Sequence, residues 1–202
     1  MCIRDRYTGA CAYSSFTDYM GNCGTGSTVG IGGVTDGATA AMSYAFDSGF
    51  SLAGGVSSTT ASILTGDSAN SDLFGIEAAY TADSFGVSVA YSDAEGTTGW
   101  GINGMYAFDF ATISAGVESE DSGSATAEGF FVGLSFPEVG AGSLDIGMGT
   151  TGNFADSDPE YYIYEASYSY PINDGMTITP GIYLRGGSTD QTGVAVKTSF
   201  SF

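Results

Sequence analysis

The 202-residue chain has no histidine, only four lysine and arginine residues, four prolines and three cysteines. Without histidine there is no Ser-His-Asp or Cys-His pair, no imidazole zinc site and no histidine general base. Four basic residues, two of them Arg4 and Arg6, leave no means of neutralising a phosphate backbone, which excludes nucleic acid as a partner. Long apolar runs are also missing. No stretch approaches the roughly 18 consecutive apolar residues of a spanning helix. Charged residues make up only 13% of the chain, yet 23 of them are acidic and the net charge is -19. What charge there is has almost one sign.

What is abundant is glycine, 32 residues, with 13 Tyr and 13 Phe. Glycine at that density works against helices, where it costs about 1 kcal/mol relative to alanine. The aromatics work against disorder. From residue 38 onward, large apolar residues alternate with small or polar ones at a period of two, the signature of strands. Eleven strands are predicted: 38–47, 50–57, 73–80, 85–92, 99–108, 110–118, 129–136, 142–150, 160–170, 176–185 and 192–202.

Parity within these segments carries the most information. Met42, Tyr44 and Phe46 share one face against Ala41, Ser43 and Ala45, and Phe85, Val87, Val89 and Tyr91 share one against Gly86, Ser88 and Ala90. Among the strand aromatics, Phe110, Phe131, Tyr161 and Tyr183 break the rule. A water-soluble sandwich would carry Lys and Glu on its outer face. Here the second face is mostly Ser, Thr, Gly and Ala, which suits a lumen, with the large face in lipid. The expected fold is therefore all-β, a transmembrane antiparallel up-and-down barrel whose aromatics near segment ends form interfacial girdles. Connections support it: short turns at 47–49, 81–84, 109, 137–141 and 171–175 alternate with longer stretches at 58–72, 93–98, 119–128, 151–159 and 186–191.

Three regions follow. Residues 1–6, Met1-Cys2-Ile3-Arg4-Asp5-Arg6, have no signal-peptide shape, resemble translated sequencing adapter and are taken as foreign to the fold. Residues 7–37 form a long loop or constriction segment, with Asp18 and Asp36 near an eyelet, or a stump left by truncation; a further strand at 27–34 is an alternative. Residues 38–202 supply barrel strands. Bacterial single-chain barrels have even strand counts, so eleven segments point either to part of a roughly 16-stranded barrel or to a twelfth strand.

The last strand, Val194-Ala195-Val196-Lys197-Thr198-Ser199-Phe200-Ser201-Phe202, resembles the C-terminal signal read by the barrel assembly machinery, with Phe202 at its end. Pro171-Ile172-Asn173-Asp174-Gly175-Met176-Thr177-Ile178-Thr179-Pro180-Gly181 and Thr192-Gly193-Val194-Ala195-Val196-Lys197-Thr198-Ser199-Phe200 resemble outer-membrane porins of marine picocyanobacteria, a likeness extending over most of residues 7–202. The resemblance implies an outer-membrane diffusion channel for small solutes and inorganic ions, homotrimers as in many porins, and a cell-wall-binding surface-layer domain that this chain does not show. Some such porins are labelled for iron uptake, and nothing in these residues singles out iron.

On the lumen parity lie Glu77, Asn103, Glu118, Asp145, Glu165, Arg185 and Lys197, read either as pore-lining selectivity residues or as ordinary solvated side chains. Arg185 and Lys197, on consecutive strands, would face acids across the pore. An acidic mouth is expected from loop residues Asp93, Glu95, Glu120, Asp121, Asp156 and Asp158, favouring cations or simply keeping the surface soluble. Their spacing matches no dedicated calcium loop, and neither metal nor cofactor is expected. Cys11 and Cys23 are candidates for a disulfide, since the route to the outer membrane is oxidising. The rival function is a structural or adhesive barrel whose acidic loops bind surface partners or calcium. Catalysis is not expected.

Overall fold

A computed structural model describes residues 16–17, 39–58, 72–94, 96–151, 154–155 and 159–201. These form one antiparallel sheet: β1 (Thr39–Ala45), β2 (Phe50–Ser58), β3 (Asp72–Thr81), β4 (Phe85–Ala94), β5 (Thr97–Ala107), β6 (Thr112–Asp121), β7 (Thr126–Val139), β8 (Gly142–Thr150), the two-residue β9 (Phe154–Ala155), β10 (Tyr162–Asn173), β11 (Met176–Arg185) and β12 (Gln191–Phe200). Each strand pairs with the next in sequence, except that β9 adds to β7 and β8 pairs directly with β10. All eleven expected strands are present in the up-and-down order. Sheets of more than about ten strands curl, and the buried side is the inside of the curl.

Which side is buried decides the environment. Val89 is 50% exposed while its neighbours Ser88 and Ala90 are 4% and 9% exposed. The same inversion holds across the sheet: Met42, Ile76, Trp100, Val117, Ile182 and Val196 are exposed, whereas Ala79, Ser114 and Ser167 are buried. In water, exposed apolar patches beyond a few hundred Å² are rare. A face this apolar, continuous from β1 to β12, is matched to lipid.

Ring contacts draw the girdle along the rim of the short turns. Tyr44 meets Phe46 at 4.7 Å, Phe46 meets Phe50 at 5.8 Å, Tyr80 meets Phe85 at 5.7 Å and Tyr106 meets Phe108 at 4.7 Å. Strand register closes the gaps, with Phe50 opposite Tyr80 and Phe85 opposite Tyr106. One parity exception is resolved here. Phe110 lies on the β5–β6 turn, not in a strand, and stacks on Phe108 at 5.9 Å as a girdle residue. Tyr91 opposite Trp100, and Phe130 against Tyr162, mark the other rim.

Turn chemistry fixes the short-turn rim. Gly49 has φ +85°, and a Cβ there would overlap the Thr81 carbonyl, so the close approach that lets Thr81 N–H donate to the Gly49 oxygen at 2.9 Å depends on glycine. Two expected turns are shorter than the sequence indicates. Pro137 falls within β7 and Pro171 within β10, each beside a register shift in its hairpin. A proline cannot donate to the ladder, and a bulge at a barrel rim accommodates it.

The opposite rim also differs from expectation. Strands β4, β5, β6 and β7 run past the girdle, reducing their connections to 95–96 and 122–125. Backbone pairing continues because Thr97, Thr98 and Thr126 favour extended structure and have partners across the hairpin. The long connections are 59–71, 151–161 around β9, and 186–190.

Candidate functional site: the inner wall

Alternation turns every second residue of each strand toward the inside, so register determines which inner side chains meet. Glu77 is half-buried on β3 between Ala53 and Ala90, and its carboxylate hydrogen-bonds the Ser88 side chain. Glu118 on β6 lies between Gly101 and Gly129. The two carboxylates share one lateral row, three strands or roughly 14 Å apart. Asn103 sits between Ser88 and Gly116, and Asp145 between Ser135 and Ser167. All four are partly buried among small neighbours.

The two cations are far apart. Arg185 is in register with Ile163 and Gln191, whereas Lys197 is opposite Thr179. Six residues along β11 separate their levels, roughly 20 Å of strand. Adjacent strands therefore do not make an adjacent cationic pair.

Two remaining parity exceptions have a common cause. Phe131 points inward and is 4% exposed, with its ring lying where a Cβ on the directly opposed Gly116 would be. Tyr183 does the same over Gly193. An inward aromatic fits because the partner strand supplies a glycine, which regains cover for its bare backbone. Gly116 is pressed from its other side by Asn103 Oδ1. The signal was present in sequence as an aromatic out of parity, but only pairing reveals the glycine. Tyr161 precedes β10, where its carbonyl accepts from the Thr151 N–H at 3.0 Å.

Glu165 is the most buried charged side chain among the described residues at 3% exposure. Its Oε1 accepts the Phe16 N–H at 2.7 Å, and its Oε2 accepts the Thr17 N–H at 3.1 Å and the Thr17 hydroxyl at 2.7 Å. Phe16 is 6% exposed, its ring rests on Gly181 of β11, and Lys197 Nζ is 5.0 Å from the ring centroid. Residues 16 and 17 therefore lie on the inner face. Periodicity offered no signal for them, because the contact joins residues 148 and 149 positions apart.

The acidic mouth is revised. Asp93, Glu120 and Asp121, expected in loops, are strand residues, since the hairpins continue beyond the girdle. Asp93 and Asp121 both pair with Thr98 and share the parity of Tyr91 and Trp100, so they lie on the outer face above the aromatic belt. Glu120 alone of the three takes the inner parity. Glu95, Asp156, Asp158, Asp18, Asp36, Cys11 and Cys23 are outside the described residues.

A lipid-matched outer face, a polar inner face and a meander of strands about ten residues long define an outer-membrane β-barrel. A family model for Gram-negative porins matches residues 5–193, and the chain belongs to that family. Membership places it in the outer membrane. A porin structure refined at 1.8 Å resolution is similar over 84% of this chain and 63% of its own, with 16% identity and a TM-score of 0.65. A mutant porin of Rh. blastica is similar over 81% of this chain and 55% of its own, with 18% identity and a TM-score of 0.60. The chain thus spans less than two thirds of the length of these porins. No curated protein sequence matches it.

Proposed function

We propose that the chain forms the wall of a water-filled diffusion porin that passes small hydrophilic solutes and inorganic ions with a weak preference for cations. The observation that carries this reading is the inverted two-faced sheet, apolar and exposed outside, small and polar inside. A lumen wide enough for water calls for a ring of about 16 strands, since eight strands enclose little more than side chains. Glu77, Glu118 and Asp145 on the inner wall, within a chain of net charge -19, favour cations by raising their local concentration. Residues 7–37 are proposed as the constriction, with the inward placement of Phe16 and Thr17 in support. A homotrimer, assembly through the strand ending in Phe202 and an origin in marine picocyanobacteria complete the proposal.

The test is single-channel conductance across a salt gradient, using the full-length protein purified from outer membranes and inserted into planar bilayers. Stable steps are expected, with a reversal potential of cationic sign that weakens as salt rises. Absence of conductance from a verified folded barrel would overturn the channel and favour a structural or adhesive barrel.

A further inference from the structure

We infer that Glu165 is a positioning residue: with Gly181 and Lys197 it forms a seat for Phe16 and Thr17, and this seat fixes where residues 16–17 cross the inner wall. The part of this inference that concerns the bore rests on the porin reading above.

A carboxylate on the inner wall has two possible uses, as a charge offered to passing ions or as a hydrogen-bond acceptor for the protein itself. The geometry favours the second for Glu165. It is 3% exposed, whereas Glu77 and Glu118 are only partly buried. Both oxygens are engaged, by two consecutive backbone N–H groups and one hydroxyl. Consecutive amides converging on one carboxylate need an acceptor with two equivalent oxygens, which glutamine does not supply.

The neighbours of Glu165 complete the seat. Gly147 lies opposite it on β8, leaving room for a chain to approach. On β11, Gly181 lacks the Cβ that would collide with the Phe16 ring. Phe131 on Gly116 and Tyr183 on Gly193 repeat that ring-on-glycine packing, but each joins paired strands. Phe16 makes the same joint between the wall and a distant part of the chain. Lys197 faces the ring as a cation over its π-face and is thereby covered on one side. Releasing Phe16 would uncover the Lys197 ammonium as well as free residues 16–17.

The test compares Glu165→Gln, which alters charge and acceptor geometry, with Gly181→Val, which leaves every charge unchanged and fills the seat. Amide hydrogen exchange of Phe16 and Thr17 is read by mass spectrometry on the full-length protein in detergent, alongside single-channel conductance. Both variants are expected to accelerate exchange at these amides at least about tenfold. Both should enlarge the open steps and make them noisier, with the reversal potential moved toward anions. Should either variant fail to fold, Thr17→Val removes one hydroxyl bond without touching the sheet and is expected to accelerate exchange by a smaller factor. Unchanged exchange in Glu165→Gln with a shifted reversal potential would make Glu165 a selectivity charge and overturn the seat. Protected amides in a wild-type protein that does not conduct would instead remove the channel reading and leave the seat standing.

Discussion

The two halves of the sheet obey one rule outside and different rules inside. From β1 to β6 the inner face is built mainly of small residues such as Ser51, Ala53, Ala79, Ser88, Ala90 and Ser114, interrupted by Glu77, Asn103, Met105 and Glu118. From β7 to β12 it carries Phe131, Ile163 and Tyr183, the buried Glu165, and Arg185 and Lys197, the only basic residues of the chain beyond Arg6. That second half also contains the two register shifts and the seat of Phe16 and Thr17. The outer face is apolar in both, because lipid makes the same demand everywhere. The inner face is free to specialise, since each position answers to the particular groups it meets there, across the strands or from residues 16–17.

The largest effect should come from emptying the packed half. Phe131→Ala leaves Gly116 uncovered and removes a buried ring, at a cost of about 3 kcal/mol or more. Urea unfolding from lipid vesicles measures it. The corresponding site in the open half is expected to tolerate change: Ala53→Lys, on the inner face of β2, should cost less than about 1 kcal/mol in the same assay because lumen substitutions remain in water.

A charge on the shared outer face should erase the difference between the halves. Val89→Arg and Ile182→Arg are each expected to destabilise folding by about 2–4 kcal/mol near the bilayer midplane. Similar penalties in both halves would confirm that lipid sees one surface; a much smaller loss in either would place that strand away from lipid. Next in size is a change of selectivity without loss of stability. Glu77→Gln combined with Glu118→Gln should lower the cation-to-anion permeability ratio about twofold at low salt and less at high salt, read from reversal potentials. The smallest effect lies at the β6–β7 tip, where Asp121 Oδ1 accepts the Gly123 N–H at 2.7 Å on the exposed surface. Asp121→Ala should cost about 0.5–1 kcal/mol.

These comparisons also separate what was legible in sequence from what was not. Period-two alternation gave all eleven main strands, because an inside and an outside impose opposite polarity on successive residues. Hairpin lengths were less legible. At 119–128 the acidic residues read as loop, yet Glu120 pairs with Ala127 and Asp121 with Thr126. A charged strand end above the lipid has the composition of a loop and the hydrogen bonds of a strand. Asp93 and Asp121 consequently belong to strands and not to loops, on the outer face. The short prolines-and-glycines turns at 137–141 and 171–175 shrank for a related reason, since bulges let Pro137 and Pro171 remain in their strands.

By itself the sequence determined the fold class, the strand order and the face on which Glu77, Asn103, Glu118, Asp145, Glu165, Arg185 and Lys197 stand, because each follows from local alternation carried along a meander. The tertiary structure decided which of those residues meet. It put Phe131 on Gly116, separated Arg185 from Lys197 and brought Phe16 and Thr17 to Glu165. Such pairings depend on register and on contacts between distant parts of the chain, and a periodic pattern gives the side a residue faces without giving the partner it finds there.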